Sequence, residues 1–497
     1  MHLASYMFKN SLLNADKKSK NSFLNALKKT IKTIIDEEKL NIDIDDLRYF
    51  DNKALYQFSI PTKTKNQANA YTVILQTLRI VGLMHDVGHL PFSHQAEYAL
   101  KKTYEKLVAK EKNNSQEKDF INIYETITNN CNHVLHESIG KELVKLLFEV
   151  ELNEILKDYQ EKEFIKLLKI LAINILEENI AYGFDFKVLH TYIDSTVDAD
   201  RLDYINRDMI SSGYITGPLD HIRITKQAVL VKEEKNFILS FFDYSLIDIE
   251  HMLEMRFNLY KKVIFNEGIA KNDAILENVI NYLCKEYFSS NIIEMPNSNI
   301  SMLWSYLTFK NTNKKLDTIC MLDENWMISL FKNEYFKLKY KPNQTLEDKK
   351  NLYNFEEILF GKKRFRSPWK NLNEFYKLLD FNKVERYKFR ESFGYITKIK
   401  AKSLEAKLEE FIKKYENENK GQFFSYSIVS FSIGMQKDFK LYDGEELISI
   451  DEISTVRKRL KKSLSNTVPF YLYTNKKYFT QDMKEDLKAI LTDIFSD

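Results

Sequence analysis

Apolar residues recur at intervals of three and four along most of this chain, the spacing that places them on one face of an α-helix. Helices are therefore predicted over the following ranges: 1–40, 66–87, 197–211, about 244–265, about 273–287 and, as several amphipathic helices, 95–180. Residues 301–420 also have a mostly helical, though looser, pattern. The chain is thus predicted to be mostly α-helical.

Alternation of apolar and polar residues replaces the helical spacing at 227–231 and 236–242, on either side of the charged run 232–235. This pattern predicts a small β-hairpin. Near the C-terminus the pattern is mixed, with strands predicted over 423–433, 447–450 and 469–473, and helices over 451–465 and 480–495. The predicted fold class is mostly α, with a helical core, a β-hairpin and a C-terminal α+β extension.

A polar stretch at 289–300 is predicted to be a boundary between domains. The length of 497 residues favours two or three domains. We therefore predict a helical domain at 1–288, a helical region at 301–420 and a small α+β region at 421–497.

Composition excludes several classes of protein. Hydrophobic residues make up 44% and charged residues 29% of the chain, which is typical of a globular protein. The net charge of +3 provides no strong overall field for nucleic acid, so polyanion binding would need a local patch. The three cysteines lie far apart, which favours a reducing compartment over a disulfide framework. Since no transmembrane or signal-peptide pattern is present, we expect a cytoplasmic protein without a membrane partner.

Histidines are concentrated in one part of the chain. Five of the nine lie between His85 and His136, and the apolar run before His85 leads into His85-Asp86 where Gly88 and Pro91 interrupt a helix. Imidazole and carboxylate side by side are common ligands of divalent cations. This crowding predicts a metal site.

A second polar cluster occupies the predicted helix at 197–211. Four Asp and two Arg lie between residues 198 and 208, and Asp200, Tyr204 and Asp208 fall on one helical face. A solvated helix surface with ion pairs is the alternative, because the same helix also has an apolar stripe.

The two clusters together, with His136-Glu137, resemble the HD-domain metal phosphohydrolases. HDVGHLPFSH at 85–94 and VDADRLDYINRD at 197–208 are similar to signatures of the branch that contains the bacterial dGTP triphosphohydrolases and the human SAM-and-HD-domain dNTP triphosphohydrolase. The resemblance covers about residues 1–285 and implies an HD-domain helical core.

The resemblance implies a role for each matching residue. His85, Asp86 and Asp200 would bind a divalent metal, which could be Mn, Fe, Mg, Zn or Ni. His89, Glu97 and His136 would form a catalytic acid/base cluster. The substrate-binding residues would be Arg201, Tyr204, Asp208 and, on the helix at 254–266, Arg256, Tyr260 and Lys262. That helix could equally be an ordinary surface-and-core helix.

The implied reaction is hydrolysis of a deoxynucleoside triphosphate (dNTP) at its α-phosphorus, giving deoxynucleoside and tripolyphosphate. The resemblance also implies a homo-oligomer. The chain departs from the family pattern in two places. Asn266 stands where a His is common, and the family's first His ligand would lie about five residues before Met1. His2 matches a non-ligand position. We therefore expect weak or absent activity if the chain starts at Met1.

Other functions remain as alternatives. A zincin would need Glu at position 86 and an uninterrupted helix through His89. A cysteine–histidine hydrolase would use Cys131 with its neighbouring histidines, although a buried thiol explains Cys131 as well. His190, His221 and His251 are expected to be ordinary core or surface residues.

Two further alternatives keep the HD fold. One is a phosphodiesterase or nuclease. The other is a regulatory module that binds nucleotides or single-stranded nucleic acid, for which the basic-aromatic stretch KKRFRSPW at 362–369 is a candidate.

Overall fold

Two helices, α1 (His2–Asn14) and α2 (Lys17–Glu37), begin the chain. The structure, a computed structural model, describes residues 1–46, 53–156, 158–214, 217–290, 298–305, 319–393, 396–430, 439–464 and 467–495. The prediction of one helix over 1–40 is wrong, because the Asp16 side chain accepts hydrogen bonds from the backbone amides of Lys18 and Ser19 and starts a new helix. Both helices bury their apolar faces in the same core, so the helical spacing continues across the break.

The rest of the N-terminal part is also helical, which confirms the predicted class. Its helices are α3 (Lys65–Met84), α4 (His94–Val108), α5 (Ser115–Ile127), α6 (Leu135–Leu146), α7 (Leu152–Ile155), α8 (Tyr159–Leu176), α9 (Lys187–His190), α10 (Ala199–Ser211), α11 (His221–Lys226), α12 (Leu246–Leu259) and α13 (Glu267–Ser289). Single π-helical turns follow α6 and α12, at Leu147–Glu151 and Tyr260–Ile264. None of the helices in the described ranges is long and apolar enough to cross a membrane.

The strands form small antiparallel pairs. The short strands β1 (Ile180–Ala181) and β2 (Phe184–Asp185) pair with each other. The predicted hairpin is confirmed as β3 (Ala228–Glu233) with β4 (Asn236–Phe241), in the register Val229–Ser240 and Val231–Ile238.

The C-terminal part combines helices with short strands. Its helices are α14 (Met302–Ser305), α15 (Glu324–Tyr340), α16 (Leu346–Phe360), α17 (Leu372–Leu378), α18 (Lys383–Phe393), α19 (Lys398–Glu418), α20 (Ile450–Ile453), α21 (Val456–Leu464) and α22 (Gln481–Phe495). Strand β5 (Phe424–Ile428) pairs with β8 (Phe470–Thr474), and β6 (Lys440–Tyr442) pairs with β7 (Leu447–Ser449). Strand β6 was not predicted. The predicted boundary at 289–300 and the end of the predicted strand at 423–433 lie partly outside the described residues.

Three clusters of buried apolar residues hold these elements together. The first joins α1–α3, α8, α10 and α12 and also takes in Leu441 and Leu460 from the C-terminal part. The second lies between α19, α22 and the β5–β8 pair. The third joins α4–α6 to α13, α15 and α16, so it contains residues from both sides of position 288.

Lys102 of α4 connects α4 to the C-terminal part. Its ammonium lies 3.0 Å from Glu277 and 2.7 Å from Glu405, and it donates a 2.8 Å hydrogen bond to the hydroxyl of Tyr426. These partners belong to three other elements: α13, α19 and β5. Since the side chain of Lys102 is only 17% exposed, its removal would leave carboxylates without compensation in a partly desolvated place.

We predict that Lys102→Ala lowers the free energy of unfolding by about 3 kcal/mol, the low end for a buried pair, because the carboxylates keep some contact with solvent. The matched control is Lys402→Ala, which removes a pair with Glu105 whose side chains are 72% and 42% exposed. That change should cost less than about 1 kcal/mol. Urea unfolding of both variants measures the difference, and equal costs would contradict a structural role for Lys102.

Candidate metal centre

The end of α3 places His85 and Asp86 at the start of a tight, irregular turn. His85 is the C-cap residue of α3, and α4 begins at His94 after the turn. Within the turn, Phe92 and Ser93 have φ of 62° and 52°, in the left-handed region that non-glycine residues rarely occupy. Such strain of about 1–3 kcal/mol per residue persists only where the surroundings hold it, and it is common at functional sites.

Gly88 lets this turn approach α6 backbone to backbone. A Cβ atom on Gly88 would lie 2.1 Å from the carbonyl oxygen of His136 and 2.3 Å from the amide nitrogen of Gly140. Neither of these backbone atoms can rotate away. The absence of a side chain at Gly88 is therefore what allows His85, His89 and His136 to share one site.

His85, Asp86 and Asp200 converge at this turn. His85 Nε2 lies 3.2 Å from Asp86 Oδ2 and 3.6 Å from Asp200 Oδ1. Ligands that are each about 2.1 Å from one ion are separated by roughly 3.0–3.4 Å. One imidazole and two carboxylates therefore have nearly the spacing of a common coordination sphere, and these three residues could hold a divalent metal.

His85 itself supports this interpretation. Both of its ring nitrogens are buried and neither makes a hydrogen bond of acceptable geometry within the described part of the chain. Burial opposes the charged form, but the carboxylates of Asp200 and Asp86 outweigh burial and raise the pKa of His85 to about 10. The site therefore favours positive charge at its centre. A divalent cation would supply that charge and would give the buried nitrogen a ligand bond.

A second cluster lies beside the first. Glu97 on α4 contacts His136 on α6 through Oε2, which lies 2.8 Å from His136 Nδ1, while Oε1 accepts a 2.9 Å hydrogen bond from the amide of Leu135. The rings of His89 and His136 stack with their centroids 4.3 Å apart. His89 Nε2 also lies 3.6 Å from Asp86 Oδ1, so the two clusters are in contact.

The pKa values of Glu97 and His136 in this second cluster are shifted from their usual values. Burial acts to raise the pKa of Glu97, but His136 and His94 outweigh it and hold this pKa well below its usual range. Burial also acts to lower the pKa of His136, and Glu97 raises it. The carboxylate of Glu97 fixes Nδ1 of His136 and leaves Nε2 for other chemistry.

His94 belongs to the same cluster, although the sequence analysis gave it no role. Its Nδ1 lies 3.5 Å from Glu97 Oε2, and its ring centroid is 4.7 Å from that of His89. The three imidazoles of His89, His94 and His136 are close enough to be an alternative group of metal ligands. The i, i+3 spacing from His94 to Glu97 on a helix was the available signal for this contact.

Arg201 is positioned by Asp198, the buried N-cap residue of α10. Asp198 accepts hydrogen bonds from the amides of Arg201 at 2.6 Å and Ser195 at 2.7 Å, and its Oδ2 lies 3.4 Å from Arg201 Nε. Burial raises the pKa of Asp198 to about 7, although Arg201 acts to lower it. Asp208, at the other end of α10, is half-buried and contacts Arg207 instead.

Three of the predicted substrate-binding residues come together on α10 and at the end of α12. Arg256 Nε donates a 2.9 Å hydrogen bond to the hydroxyl of Tyr204, and its guanidinium lies 4.4 Å from the centre of the Tyr260 ring. Burial raises the pKa of Tyr204 to about 12, so the phenol stays protonated. Lys262 lies apart from this group, with its ammonium 5.5 Å from the centre of the Tyr214 ring.

A cavity of about 480 Å³ opens on the metal centre from the side of α6, α8 and α9. His85, Asp86 and Asp200 lie in its wall. His133 and His190, to which no role was given, line it as well, and His190 Nδ1 lies 3.4 Å from Glu178. The volume is within the range of small-molecule sites.

The structure alters the interpretation of two other sequence features. Cys131 is exposed, so the expectation of a buried thiol is wrong; residues 129–131 form a left-handed turn that places it at the surface. In the stretch 362–369, Phe365 and Trp369 are buried in the second core, and Trp369 Nε1 donates to the carbonyl of Phe470. Those two aromatic rings are therefore unavailable for stacking on bases.

Comparisons with known proteins give distant likenesses only, and no protein-family model matches the chain. The chain is 25% identical over 353 residues to the uncharacterized protein MG461 homolog of Mycoplasma pneumoniae, covering 71% of this chain and 69% of that protein. It is also 25% identical over 198 residues to the uncharacterized protein YwfO of Bacillus subtilis, covering 40% of this chain and 35% of that protein.

Two solved structures are similar over most of their length. A phosphohydrolase from Bacteroides thetaiotaomicron has a TM-score of 0.46 at 17% identity, over 92% of this chain and 86% of that one. A hypothetical protein from Aquifex aeolicus has a TM-score of 0.43 at 18% identity, over 83% and 80%. Both TM-scores lie below 0.5 and both identities below 20%, so these likenesses assign no function to the chain.

We predict opposite effects for alanine at the two glycines of the turn–α6 contact. Gly88→Ala should destabilise the protein by about 3 kcal/mol or more, because the methyl group meets backbone atoms at 2.1 and 2.3 Å. Gly140→Ala should be neutral or stabilise by up to about 1 kcal/mol, because its Cβ would find its nearest neighbour at 3.5 Å and helix interiors favour Ala. Thermal or urea unfolding compares them, and similar losses in both variants would refute the contact.

Proposed function

We propose that this protein is a metal-dependent phosphohydrolase that converts dNTPs to deoxynucleosides and tripolyphosphate. The observation that carries the proposal is the contact between two clusters of side chains from different helices, the His85–Asp86–Asp200 cluster and the His89–Glu97–His136 cluster. Tyr204 lies one helical turn after Asp200 on α10 and accepts a hydrogen bond from Arg256.

The His85 cluster would hold the metal, with His85, Asp86 and Asp200 as ligands. When bound, a divalent cation supplies charge neutralisation to a phosphate and makes water a better nucleophile. The two carboxylates also orient the ring of His85, because both lie within 3.6 Å of its Nε2.

The His89–His136 cluster would move protons. Hydrolysis at the α-phosphorus forms a bond from a water oxygen to phosphorus and breaks the bond from phosphorus to the 5′ oxygen of the sugar. The departing 5′ oxygen takes up a proton, and the attacking water loses one. An imidazole whose Nδ1 is fixed by Glu97 can give a proton from Nε2 near neutral pH, and this is the role we assign to His136, with His89 stacked beside it.

The cations near Tyr204 would bind the rest of the substrate. Arg201, held by Asp198, and Arg256, held by Tyr204 and Tyr260, are preorganised guanidinium groups, which suit phosphate oxygens. Tyr204, as a protonated phenol, can donate a hydrogen bond. Asp208 contacts Arg207 and Lys262 lies over the ring of Tyr214, so we assign these two residues weaker contributions. By the family resemblance, we also propose that the protein acts as a homo-oligomer.

The second candidate function is binding of single-stranded nucleic acid or hydrolysis of phosphodiesters. One observation favours it. A cavity of about 520 Å³ is lined by Lys363 and Arg366 together with Lys476, Lys477 and Phe479. Unlike Arg364, which pairs with Glu356, these four cations have no ion-pair partner within the described residues. An electropositive groove with one aromatic ring suits a nucleic-acid backbone.

We predict that Asp200→Ala abolishes dNTP hydrolysis with Mn²⁺ while the fold persists, because one of the carboxylates that converge on the metal is removed. Asp119→Ala, an exposed carboxylate on α5, is the control and should retain activity. Products are resolved so that tripolyphosphate is separated from phosphate and pyrophosphate. Phosphodiester substrates are assayed in parallel. Tripolyphosphate formation by Asp200→Ala would refute the site, and turnover of phosphodiesters alone would favour the second candidate.

Metal binding should be measurable without turnover. We predict that Mn²⁺ raises the melting temperature of the wild-type chain and that a chelator reverses the shift, since a ligand of the native state stabilises it by about 2.7 kcal/mol at one hundred times its Kd. His85→Ala should lose the shift, whereas His251→Ala, at an exposed position of α12, should keep it. An equal shift in all three proteins would place the metal elsewhere.

A further inference from the structure

A second, larger cavity lies away from the metal centre, between α4, α5, α13, α16 and α19. Its volume is about 670 Å³, and it shares no lining residue with the cavity at the metal centre. Since one water occupies about 30 Å³ of liquid, this volume is far larger than a buried water site and suits a small organic molecule.

The wall of this cavity contains an unsatisfied buried amide. Asn354 of α16 is only 1% exposed, and its Oδ1 has no hydrogen-bond partner among the described residues. Its Nδ2 lies no closer than 3.5 Å to its one acceptor, Asn351 Oδ1. A buried amide left in this state costs about 1–3 kcal/mol, so the arrangement calls for an external partner.

A second amide offers complementary chemistry. Asn281 of α13 accepts a 2.8 Å hydrogen bond from Thr103 through Oδ1. Its Nδ2 makes no hydrogen bond within the described part of the chain. The lining thus offers an acceptor on Asn354 and a donor on Asn281, and it also contains the aromatic rings of Tyr282 and Phe288.

The charges around the cavity are balanced. Each of its four lysines is paired with a glutamate: Lys106 with Glu409, Lys110 with Glu117, Lys285 with Glu347 and Lys350 with Glu416. Because every lysine is already neutralised, the cavity lacks the excess positive charge that a polyphosphate would need. It suits a neutral ligand.

We infer that this cavity binds a neutral heterocycle that has neighbouring N–H donor and acceptor atoms, the edge found on the bases of nucleosides. An asparagine amide pairs with such an edge through its oxygen and its nitrogen, as in recognition of adenine. The N–H of the ligand would satisfy Asn354 Oδ1, and an acceptor atom of the ligand would take a hydrogen bond from Asn281 Nδ2. This inference is independent of the proposed reaction.

Calorimetric titration with adenosine, guanosine, cytidine and thymidine tests the inference, with ribose as the probe that lacks a base. We expect at least one nucleoside to bind and ribose not to bind. Asn354→Leu should weaken binding about tenfold or more, the value of one lost hydrogen bond, without lowering the melting temperature, because an unsatisfied amide is replaced by an apolar group of similar size. Asn333→Leu, at an exposed position of α15, is the matched control and should bind as the wild type does.

Two further variants keep the test decisive. Asn281→Asp keeps the acceptor for Thr103 but removes the N–H donor, so it should also weaken binding. This variant provides the test if Asn354→Leu fails to fold. Arg256→Ala alters the proposed catalytic cleft and should leave this binding unchanged. Binding that is lost in Arg256→Ala but kept in Asn354→Leu would belong to the proposed catalytic cleft and would overturn the inference. The inference would also be overturned if no nucleoside binds to the wild type. Tighter Asn354-dependent binding of the 5′-triphosphates would overturn the assignment of a neutral ligand.

Discussion

Close backbone contact between the turn after α3 and the first turns of α6 is the constraint on which the candidate metal centre depends. Gly88 can approach His136 and Gly140 only because it has no side chain. This contact fixes the distance between the metal cluster on α3 and α10 and the imidazole cluster on α4 and α6. The strained backbone at Phe92 and Ser93 is tolerated in the same place, since packing on both sides holds the turn.

Carboxylates contact the imidazole and guanidinium groups in the rest of the site. Carboxylates of Asp86 and Asp200 surround His85, Glu97 holds His136, and Asp198 holds Arg201. His85, His136 and Arg201 thus each have an anionic partner that fixes their orientation before substrate arrives, whereas Arg256 is held by the hydroxyl of Tyr204 and the ring of Tyr260. Such preorganisation lowers the cost of ordering these side chains during a reaction.

Much of this arrangement could be predicted from local patterns, and the remainder depends on contacts that sequence does not display. Helical spacing predicted α3 and α10, and alternation of apolar and polar residues predicted the β3–β4 hairpin. The break at Asp16 was missed because the two helices share one core, so the helical spacing continues across it. The exposure of Cys131 was missed because residues 129–131 adopt left-handed backbone conformations although none of them is a glycine. The hydrogen bond between Arg256 and Tyr204 joins helices that are remote in sequence, and the place of His94 beside Glu97 was visible only as a spacing.

The third apolar cluster has a consequence for any attempt to dissect the protein. The ring of Phe92, in the turn before α4, stacks on that of Phe331 of α15 with centroids 6.0 Å apart, and the cluster unites Leu100 and Val279 with Phe355. A recombinant fragment cut near residue 288 would therefore expose one side of this core and remove the contact of Phe331 with the turn. The smallest unit that retains the geometry of the candidate metal centre has to include α15 and α16, even though no residue proposed for its chemistry lies there.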